Sequence, residues 1–409
     1  MPQRPPQNGQ QQPVCTGLQN LANEDWKLLR GFKIGLLTNA TGVFSDLRHA
    51  ADAMHMSPYV NLVALFGPEH GFRGVAQAGS SQDSHTDPST GLPVFDIYRK
   101  HGSELLSTFR KADVEILVVD LQDVGCRFYT YIWILYEALV AAAMASSDMR
   151  VVVLDRPNPV GGTIVEGPVL RAGYFSGVGL KPIALRHGMT IGELAQLFNG
   201  EFVPSEAGKA CRLEVVRMSG WHRAMHFVDT QLPWVPPSPN MPTPSTALVY
   251  SGLGLFEGTN CSEGRGTTLP FEMIGAPWVD TRLTEAARDA GRRGLCLGAA
   301  YREVEFCPSF SKFSGQTVRG VHIYVTDPGR FEAVRAALVL MVAMKRLYRT
   351  SFAWRTPDFG SGKYWIDLLS GSSVLREAID NGADIDEIIA LWEDDLVWFE
   401  TTRTNYLLY

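Results

Sequence analysis

Short apolar segments alternate with segments of helical periodicity from residue 31 onwards, and this alternation constrains the fold more than any other feature. The segment VEILVVDLQ (114–122) is apolar nearly throughout, which is typical of a parallel strand covered on both faces. The long apolar segment 128–147 predicts a helix. Repeated strand–helix units predict an α/β fold with a Rossmann-like, doubly wound parallel sheet and helices on both faces. The predicted strands are 33–39, 60–66, 114–122, 150–157 and 211–218.

The pattern changes beyond residue 276. Two strand-like segments are followed by 331–348, which has the spacing of a long amphipathic helix. This part is interpreted as an α+β domain that packs against the edge of the sheet. The polar N-terminus, rich in proline and glutamine, is typical of a disordered tail. The predicted organisation is a disordered tail (1–22), a Rossmann-like catalytic domain (23–275) and a smaller α+β C-terminal domain (276–409).

Composition excludes several classes of protein. Of the 409 residues, 45% are hydrophobic and 20% are charged, and the formal net charge is −6, so we expect no surface for nucleic acid or for an anionic membrane. No apolar run approaches the ~18 residues that a membrane-spanning helix needs. The N-terminus lacks the apolar stretch of a secretion signal, which predicts a cytoplasmic location for the chain as written. The six scattered cysteines predict reduced thiols.

The motifs of the common cofactor-dependent α/β proteins are missing from the sequence. The first predicted strand is followed by TNATGVF, where a dinucleotide-binding protein needs GxGxxG so that the backbone can approach a pyrophosphate. The chain contains no Walker motif, no HExxH and no GxSxG elbow. We therefore expect neither a nucleotide cofactor nor a catalytic metal.

Polar side chains follow the predicted strands where each strand ends. The carboxyl ends of parallel strands meet at one edge of the sheet, which is where open α/β sheets bind their ligands. Strand ends can be polar simply because they lead into loops. However, these strand ends carry more arginines and acids than solvated loops require, so we favour a binding site. The candidate ligand-binding residues at this edge are Asn39, Gln122, Asp123, Arg127, Asp155, Arg156 and Asn158.

The segment LVALFGPEHGFRG (62–74) carries the strongest candidate for catalysis. Its apolar strand breaks at Gly-Pro, and Glu69 and His70 follow at once, with Arg73 close behind. A solvated turn with incidental charge is the alternative. A carboxylate at the end of a buried strand is held firmly, and catalysis needs such precision. We predict that Glu69 is catalytic, with His70 beside it.

Three later segments add candidates. Glu166 lies among glycines in GGTIVEGPVL (161–170), where partial desolvation would favour a general acid, although a surface turn explains it equally well. The proline-rich segment 232–246 contains Asn240, and the loop 309–315 contains Lys312, which is either an anion contact or a solvent-exposed lysine. The glycine-rich segment 255–271 is too dense in polar groups for a linker, and its candidates are Glu257, Asn260, Glu263 and Arg265.

These segments resemble those of the NamZ-like exo-β-N-acetylmuramidases, a family of peptidoglycan glycoside hydrolases. The resemblance spans residues 31–409 and is carried by GLLTNATGV, LFGPEHGFRG, DLQDVGCRFYTY, VLDRPNPVGG, VEGPVL, RHGMTIGELA, WVPPSPNMPT, LFEGTNCSEGRGTTLPFE and the closing YLLY. It implies an α/β catalytic domain, a smaller C-terminal domain and a cleft between them. It also implies release of N-acetylmuramic acid from the non-reducing end of peptidoglycan fragments.

The residues and the resemblance agree on the chemistry. Glycoside hydrolysis needs a protonated acid at the leaving oxygen and a second group opposite the sugar, and Glu69 and Glu166 are the candidates. The acetamido group of the substrate is an alternative nucleophile. The lactyl carboxylate of N-acetylmuramic acid suits a guanidinium partner. The candidates for that partner are Arg73, Arg127, Arg156 and Arg265. A protein that binds muropeptides without cleaving them is the alternative function.

Overall fold

A computed structural model describes residues 13–74, 76–77, 79–80, 82–145, 149–356 and 362–409. Most of the predicted N-terminal tail, residues 1–12, lies outside this range. Residues 13–22 were predicted to belong to the tail as well, and here the prediction is wrong. They enter a helix, Gly17–Asn23, whose Leu18 and Leu21 are buried. The helix packs on the last two strands of the large sheet, so its apolar side chains leave water.

The larger sheet confirms the predicted α/β class. Its strand order is β3-β4-β2-β1-β5-β6-β7, and every neighbouring pair is parallel except β3 with β4. The chain runs outward from the central β1 in both directions, as in doubly wound sheets. β3 and β4 were not predicted from the sequence. The strands are β1 (Lys33–Thr38), β2 (Asn61–Gly67), β3 (His85–Thr86), β4 (Pro93–Asp96), β5 (Ile116–Asp120), β6 (Arg150–Leu154) and β7 (Arg212–Val216).

Helices connect these strands and cover both faces of the sheet. β5 is buried at every position because side chains from both faces meet helices. The capping box predicted at Thr190 is present: its hydroxyl accepts from the Glu193 N–H, and the Glu193 carboxylate accepts from the Thr190 N–H. The helices of this part are α1 (Gly17–Asn23), α2 (Ala50–Met56), α3 (Gly102–Lys111), α4 (Tyr131–Ala143), α5 (Ile191–Glu201), α6 (Val203–Ala207) and α7 (Pro244–Leu253).

The C-terminal part contains a small antiparallel sheet of order β8-β10-β9 and a group of helices, as the α+β prediction requires. β8 belongs to this second sheet, so the predicted boundary at 275/276 cuts through a strand and is placed too late in the sequence. The elements are β8 (Met273–Ala276), β9 (Ala299–Phe306), β10 (Val318–Val325), α8 (Thr281–Arg292), α9 (Ala333–Leu347), α10 (Trp365–Ser370), α11 (Val374–Asp380), α12 (Ile385–Ala390) and α13 (Glu393–Thr404).

The two parts share one hydrophobic core. Buried residues of α4, such as Leu135, belong to the same cluster as Leu338 on α9, and α7 packs directly against α9. This continuity holds the C-terminal part rigidly beside the carboxyl edge of the large sheet. None of the helices in the described ranges combines the length and apolar character that crossing a membrane requires.

Candidate active site

Glu69 lies just beyond the end of β2 and is held by two neutral donors. The Gly79 N–H donates to Oε1 at 2.7 Å, and the Thr130 hydroxyl donates to Oε2 at 2.6 Å. The residue is 9% exposed. Within the described part of the chain, no arginine or lysine pairs with this carboxylate. Glu69 is therefore oriented without being neutralised by an ion pair.

His70 stabilises the loop whose Gly79 contacts Glu69. It adopts a left-handed backbone conformation with φ of 71°. Its N–H donates to the Ser80 carbonyl, its own carbonyl accepts from the Ala76 N–H, and its ring Nδ1 lies 2.9 Å from the Ala76 carbonyl oxygen. These contacts fix the described residues of the 76–80 segment, which supplies the Gly79 donor. That His70 also takes part in the chemistry stays a prediction.

Tyrosines surround Glu69. Burial raises the pKa of Tyr98, and the negative charge of Glu69 adds to the effect. The ring centroids of Tyr129 and Tyr131 are 5.0 Å apart, and the Tyr131 hydroxyl donates to the Pro237 carbonyl at 2.5 Å. These contacts join the sheet edge to the proline-rich segment 232–246.

An aromatic chain continues from these tyrosines to the glycine-rich segment. Tyr129 lies 6.0 Å from Tyr250, and Tyr250 lies 4.6 Å from Phe271, between ring centroids. Burial raises the pKa of Tyr250, and the negative charges of Glu257 and Glu69 contribute further. Tyr250 is thus within electrostatic reach of carboxylates at the sheet edge and in the glycine-rich segment.

A cleft with an empty volume of about 1070 Å³, including space open to solvent, lies beside this aromatic chain. Both parts of the molecule supply its lining, as the predicted interdomain cleft requires. Four of the residues predicted from sequence line it, together with Lys312 from the 309–315 loop. The lining residues are Gln77, Asn240, Glu257, Glu263, Arg265, Phe310, Ser311, Lys312 and Arg355.

The charged groups of the cleft form a connected cluster. Nε and Nη2 of Arg265 donate to Glu257 Oε1 at 3.0 and 2.8 Å, and Arg265 Nε lies 3.6 Å from Glu263 Oε1. Lys312 Nζ donates to Glu263 Oε2 at 2.9 Å and to two backbone carbonyls. Burial lowers the pKa of Arg265, but Glu257 and Glu263 outweigh it and raise the pKa overall. Lys312 is therefore not the solvent-exposed lysine that the sequence left open.

Asn240 differs from its charged neighbours because its side-chain amide makes no hydrogen bond to any described residue. It is 6% exposed and lines the cleft. The donor and acceptor atoms of this amide are therefore available to a ligand in the cleft. That Asn240 binds substrate stays a prediction.

At the carboxyl ends of β1 and β5, three residues predicted to bind substrate make contacts within the protein, and their binding role stays a prediction. We call this region the switch-point crevice, formed by Asn39, Thr41, Gln122 and Arg156. Asn39 Oδ1 accepts from the N–H and hydroxyl of Thr41, and Gln122 Nε2 donates to the carbonyls of Asp123 and Pro157. Nε and Nη2 of Arg156 donate to the two Asp120 carboxylate oxygens at 2.5 and 2.8 Å. All three side chains are used within the protein.

Three more residues predicted to bind substrate hold loops together. Asp155 accepts from Gly192 N–H, Thr190 hydroxyl and Tyr409 hydroxyl, each at 2.8 Å, and burial raises its pKa to about 6. Asn158 donates to the Met189 carbonyl and accepts from the Val160 N–H. Asp123 accepts from the Gly125 N–H, and its Oδ2 lies 3.4 Å from His187 Nε2. These contacts are internal, although Asp123 Oδ1 is buried without a hydrogen-bond partner among the described residues, and substrate binding by the three residues stays a prediction.

Two of the arginines predicted for the lactyl carboxylate are also structural. Arg73 pairs with Asp87 at 3.0 Å and with Asp52 on α2 at 3.3 Å. Arg127 is fully buried and donates to the carbonyls of Pro168, Ile183 and Leu369. Burial lowers the pKa of Arg127 to about 9. Of the four arginines predicted to bind the lactyl carboxylate, only Arg265 lines the cleft.

Glu166 caps a helix, and its predicted catalytic role stays a prediction. Its Oε1 accepts from the Ala333 N–H at 2.8 Å and its Oε2 accepts from the Val334 N–H at 3.0 Å, at the first turn of α9. Arg186 Nη1 donates to the same carboxylate at 3.0 Å. Burial raises the pKa of Glu166, and Arg186 opposes that effect.

Asn260 also makes contacts within the protein, and its binding role stays a prediction. It donates to the Ser351 carbonyl and accepts from the Ala353 N–H, which fixes the glycine-rich segment to the C-terminal part. Sequence analysis missed Gln77, Thr130, Phe310 and Ser311. Thr130 was assigned to the interior of an apolar helix, although a threonine at such a position is a recognisable signal that a helix begins after it. In the described residues, no group of three or more His, Cys, Asp or Glu side chains is arranged to hold a metal ion.

Comparisons with known proteins agree with this architecture. A family model described as the N-terminal part of exo-beta-N-acetylmuramidase NamZ matches residues 34–245, and its C-terminal counterpart matches residues 248–409. The chain is 45% identical over 400 residues to the peptidoglycan beta-N-acetylmuramidase NamZ of Bacillus subtilis, covering 97% of this chain and 91% of that protein.

Two crystal structures of DUF1343 family proteins from Bacteroides fragilis also match. One has a TM-score of 0.85 and 34% identity, and the other has a TM-score of 0.73 and 31% identity. Each match covers 97% of this chain and 99% of the other.

Proposed function

Because this chain belongs to the NamZ family of exo-β-N-acetylmuramidases, we propose that it hydrolyses the β-glycosidic bond of the non-reducing terminal N-acetylmuramic acid in peptidoglycan fragments. The observation that supports this most directly is the polar cleft, whose lining residue Gln77 lies in the loop that contacts Glu69. It combines paired carboxylates, an arginine and a free amide, which suits an anionic sugar better than an apolar ligand. A non-catalytic muropeptide-binding protein is not favoured.

Glu69 is the proposed general acid. Two neutral donors orient its carboxyl group, whereas the carboxylates of Glu257 and Glu263 are committed to Arg265 and Lys312. A group that must gain and release a proton is better served by neutral partners, since an ion pair favours the charged form alone.

The reaction that follows is a hydrolysis. Glu69 gives its proton to the glycosidic oxygen as the bond from that oxygen to the anomeric carbon breaks, and positive charge develops on the sugar ring. The oxygen of a water molecule ends on the anomeric carbon, and a proton from that water restores the acid.

Arg265 is the proposed partner of the lactyl carboxylate. It lines the cleft, its Nε and Nη2 donate to Glu257, and its Nη1 makes no hydrogen bond to a described residue, so this nitrogen is available to a ligand carboxylate. In this proposal the lactyl group shares the guanidinium with Glu257, and the positive charge of Lys312 offsets the added negative charge.

The test is product analysis with defined substrates. The purified protein is incubated with a disaccharide that has N-acetylmuramic acid at its non-reducing end, and with the disaccharide of reverse order. We expect free N-acetylmuramic acid from the first and no cleavage of the second. Saturable binding of the first disaccharide without any product would contradict the proposal and favour the binding protein.

A further inference from the structure

Thr130 is the residue just before α4, and its hydroxyl reaches the proposed acid. Oγ1 donates to Glu69 Oε2 at 2.6 Å, within the range of a charge-assisted O–H···O bond. On the other oxygen, the Gly79 N–H is the donor at 2.7 Å. The torsion that turns a glutamate carboxyl group is soft, so hydrogen bonds on opposite oxygens restrict its rotation, and the side chain of Tyr98 also contacts this carboxylate.

The Thr130 hydroxyl is itself held in a rigid frame. Every residue of α4 except Glu137 is buried, so the helix is fixed in the core. Tyr131 is anchored by its bond to the Pro237 carbonyl, and Tyr129 packs against Tyr131 and Tyr250. A threonine between two anchored tyrosines presents its oxygen at a nearly constant position.

The two donors differ in how their position is maintained. Gly79 belongs to a surface loop that His70 holds through backbone and ring contacts. Thr130 belongs to the buried framework that joins the sheet edge to the 232–246 segment. Of the two donors, Thr130 is the one that fixes the carboxyl group relative to this buried framework.

We propose that Thr130 is a positioning residue for the reaction, whose hydroxyl sets the rotation of the Glu69 carboxyl group. This inference rests on the proposed function. Without the donor to Oε2, the carboxyl group can rotate away from the orientation that the bonds to its two oxygens define. A displacement of about 1 Å at this position is enough to cost on the order of a hundredfold in rate.

The test compares Thr130→Val with Thr130→Ser and with the wild type on a chromogenic N-acetylmuramic acid glycoside. Valine keeps the shape and removes the donor, so we expect kcat to fall by about 10- to 100-fold with KM changed by less than about threefold. Serine keeps the donor, so its kcat is expected to stay within about threefold of the wild type on the same scale. Thr130→Ala is measured alongside and gives the same comparison if the valine variant folds poorly.

The split between kcat and KM and the rescue by serine separate positioning from a general loss of structure. A serine variant as slow as the valine variant overturns the inference, as does a valine variant with unchanged kinetics. If the wild type itself releases no N-acetylmuramic acid, the proposed function fails instead.

Discussion

The switch-point crevice and the cleft lie on the same edge of the large sheet and are equally rich in polar groups, yet they differ in how those groups are used. In the crevice, the guanidinium of Arg156 donates to Asp120, and the amide of Gln122 donates to two backbone carbonyls. In the cleft, Arg265 is also paired, with Glu257, but Asn240 has no partner among the described residues. Fold alone would place a ligand at the switch point. The comparison teaches that unused hydrogen-bonding capacity, more than polarity, distinguishes a binding site from a structural network.

Glu69→Gln is the strongest way to break this comparison. The change keeps the shape of the side chain and removes the titrating group, so we expect turnover to fall by about 10²- to 10⁴-fold with normal folding. Steady-state rates on a chromogenic glycoside measure the effect. The matched control is Glu285→Gln on the exposed face of α8, which should leave the rate unchanged. A folded Glu69→Gln protein with most of its activity would move the assignment to Glu257 or Glu263.

Arg156→Ala tests the crevice side of the comparison. Removing the guanidinium leaves Asp120 buried without its partner, so we expect a loss of about 3–5 kcal/mol in the free energy of unfolding. Denaturant titration measures the change. A variant that keeps its stability but loses substrate affinity would show that the crevice binds ligand after all.

Arg265→Ala sharpens the comparison by testing which group the cleft recognises. We expect binding of N-acetylmuramic acid substrates to weaken by about 2–4 kcal/mol more than binding of N-acetylglucosamine analogues, since only the former carry the lactyl carboxylate. Inhibition constants for the two sugars measure this difference. Arg73→Ala is the control, and it should not discriminate between the sugars. Equal losses for both sugars in the Arg265 variant would exclude the contact.

Asn240→Ala has the smallest expected effect. An amide that bonds only to the substrate contributes about 1 kcal/mol, so KM should rise by roughly fivefold with unfolding free energy unchanged. Asn260→Ala is the counterpart, because its amide is bonded within the protein and its removal should reduce stability. If the two variants lose stability equally, Asn240 has a structural partner.

The sequence predicted the fold better than the site. Apolar runs predicted β1, β2, β5 and β6, because burial on both faces leaves a local pattern, and they also predicted the edge strand β7, which is only partly buried. β3 has only two residues and forms no such pattern. For the site, Glu69 and Arg265 could be selected because glycines and strand ends surround them.

What the sequence could not tell is which charges are already satisfied. Arg127 bonds to carbonyls 41, 56 and 242 residues away, and Glu166 caps a helix 167 residues away. Such partners are determined by tertiary packing, and a local motif contains no trace of them. The same applies to Asp155, whose partners include Tyr409.

The core that α4, α7 and α9 share has a consequence for how the chain folds. The first turn of α9 is capped by Glu166, so a major helix of the C-terminal part depends on a side chain from the first part. Neither part can complete its interior alone. We therefore expect a single cooperative transition in calorimetry, with equal calorimetric and van't Hoff enthalpies, and no intermediate in which one part is folded and the other is not.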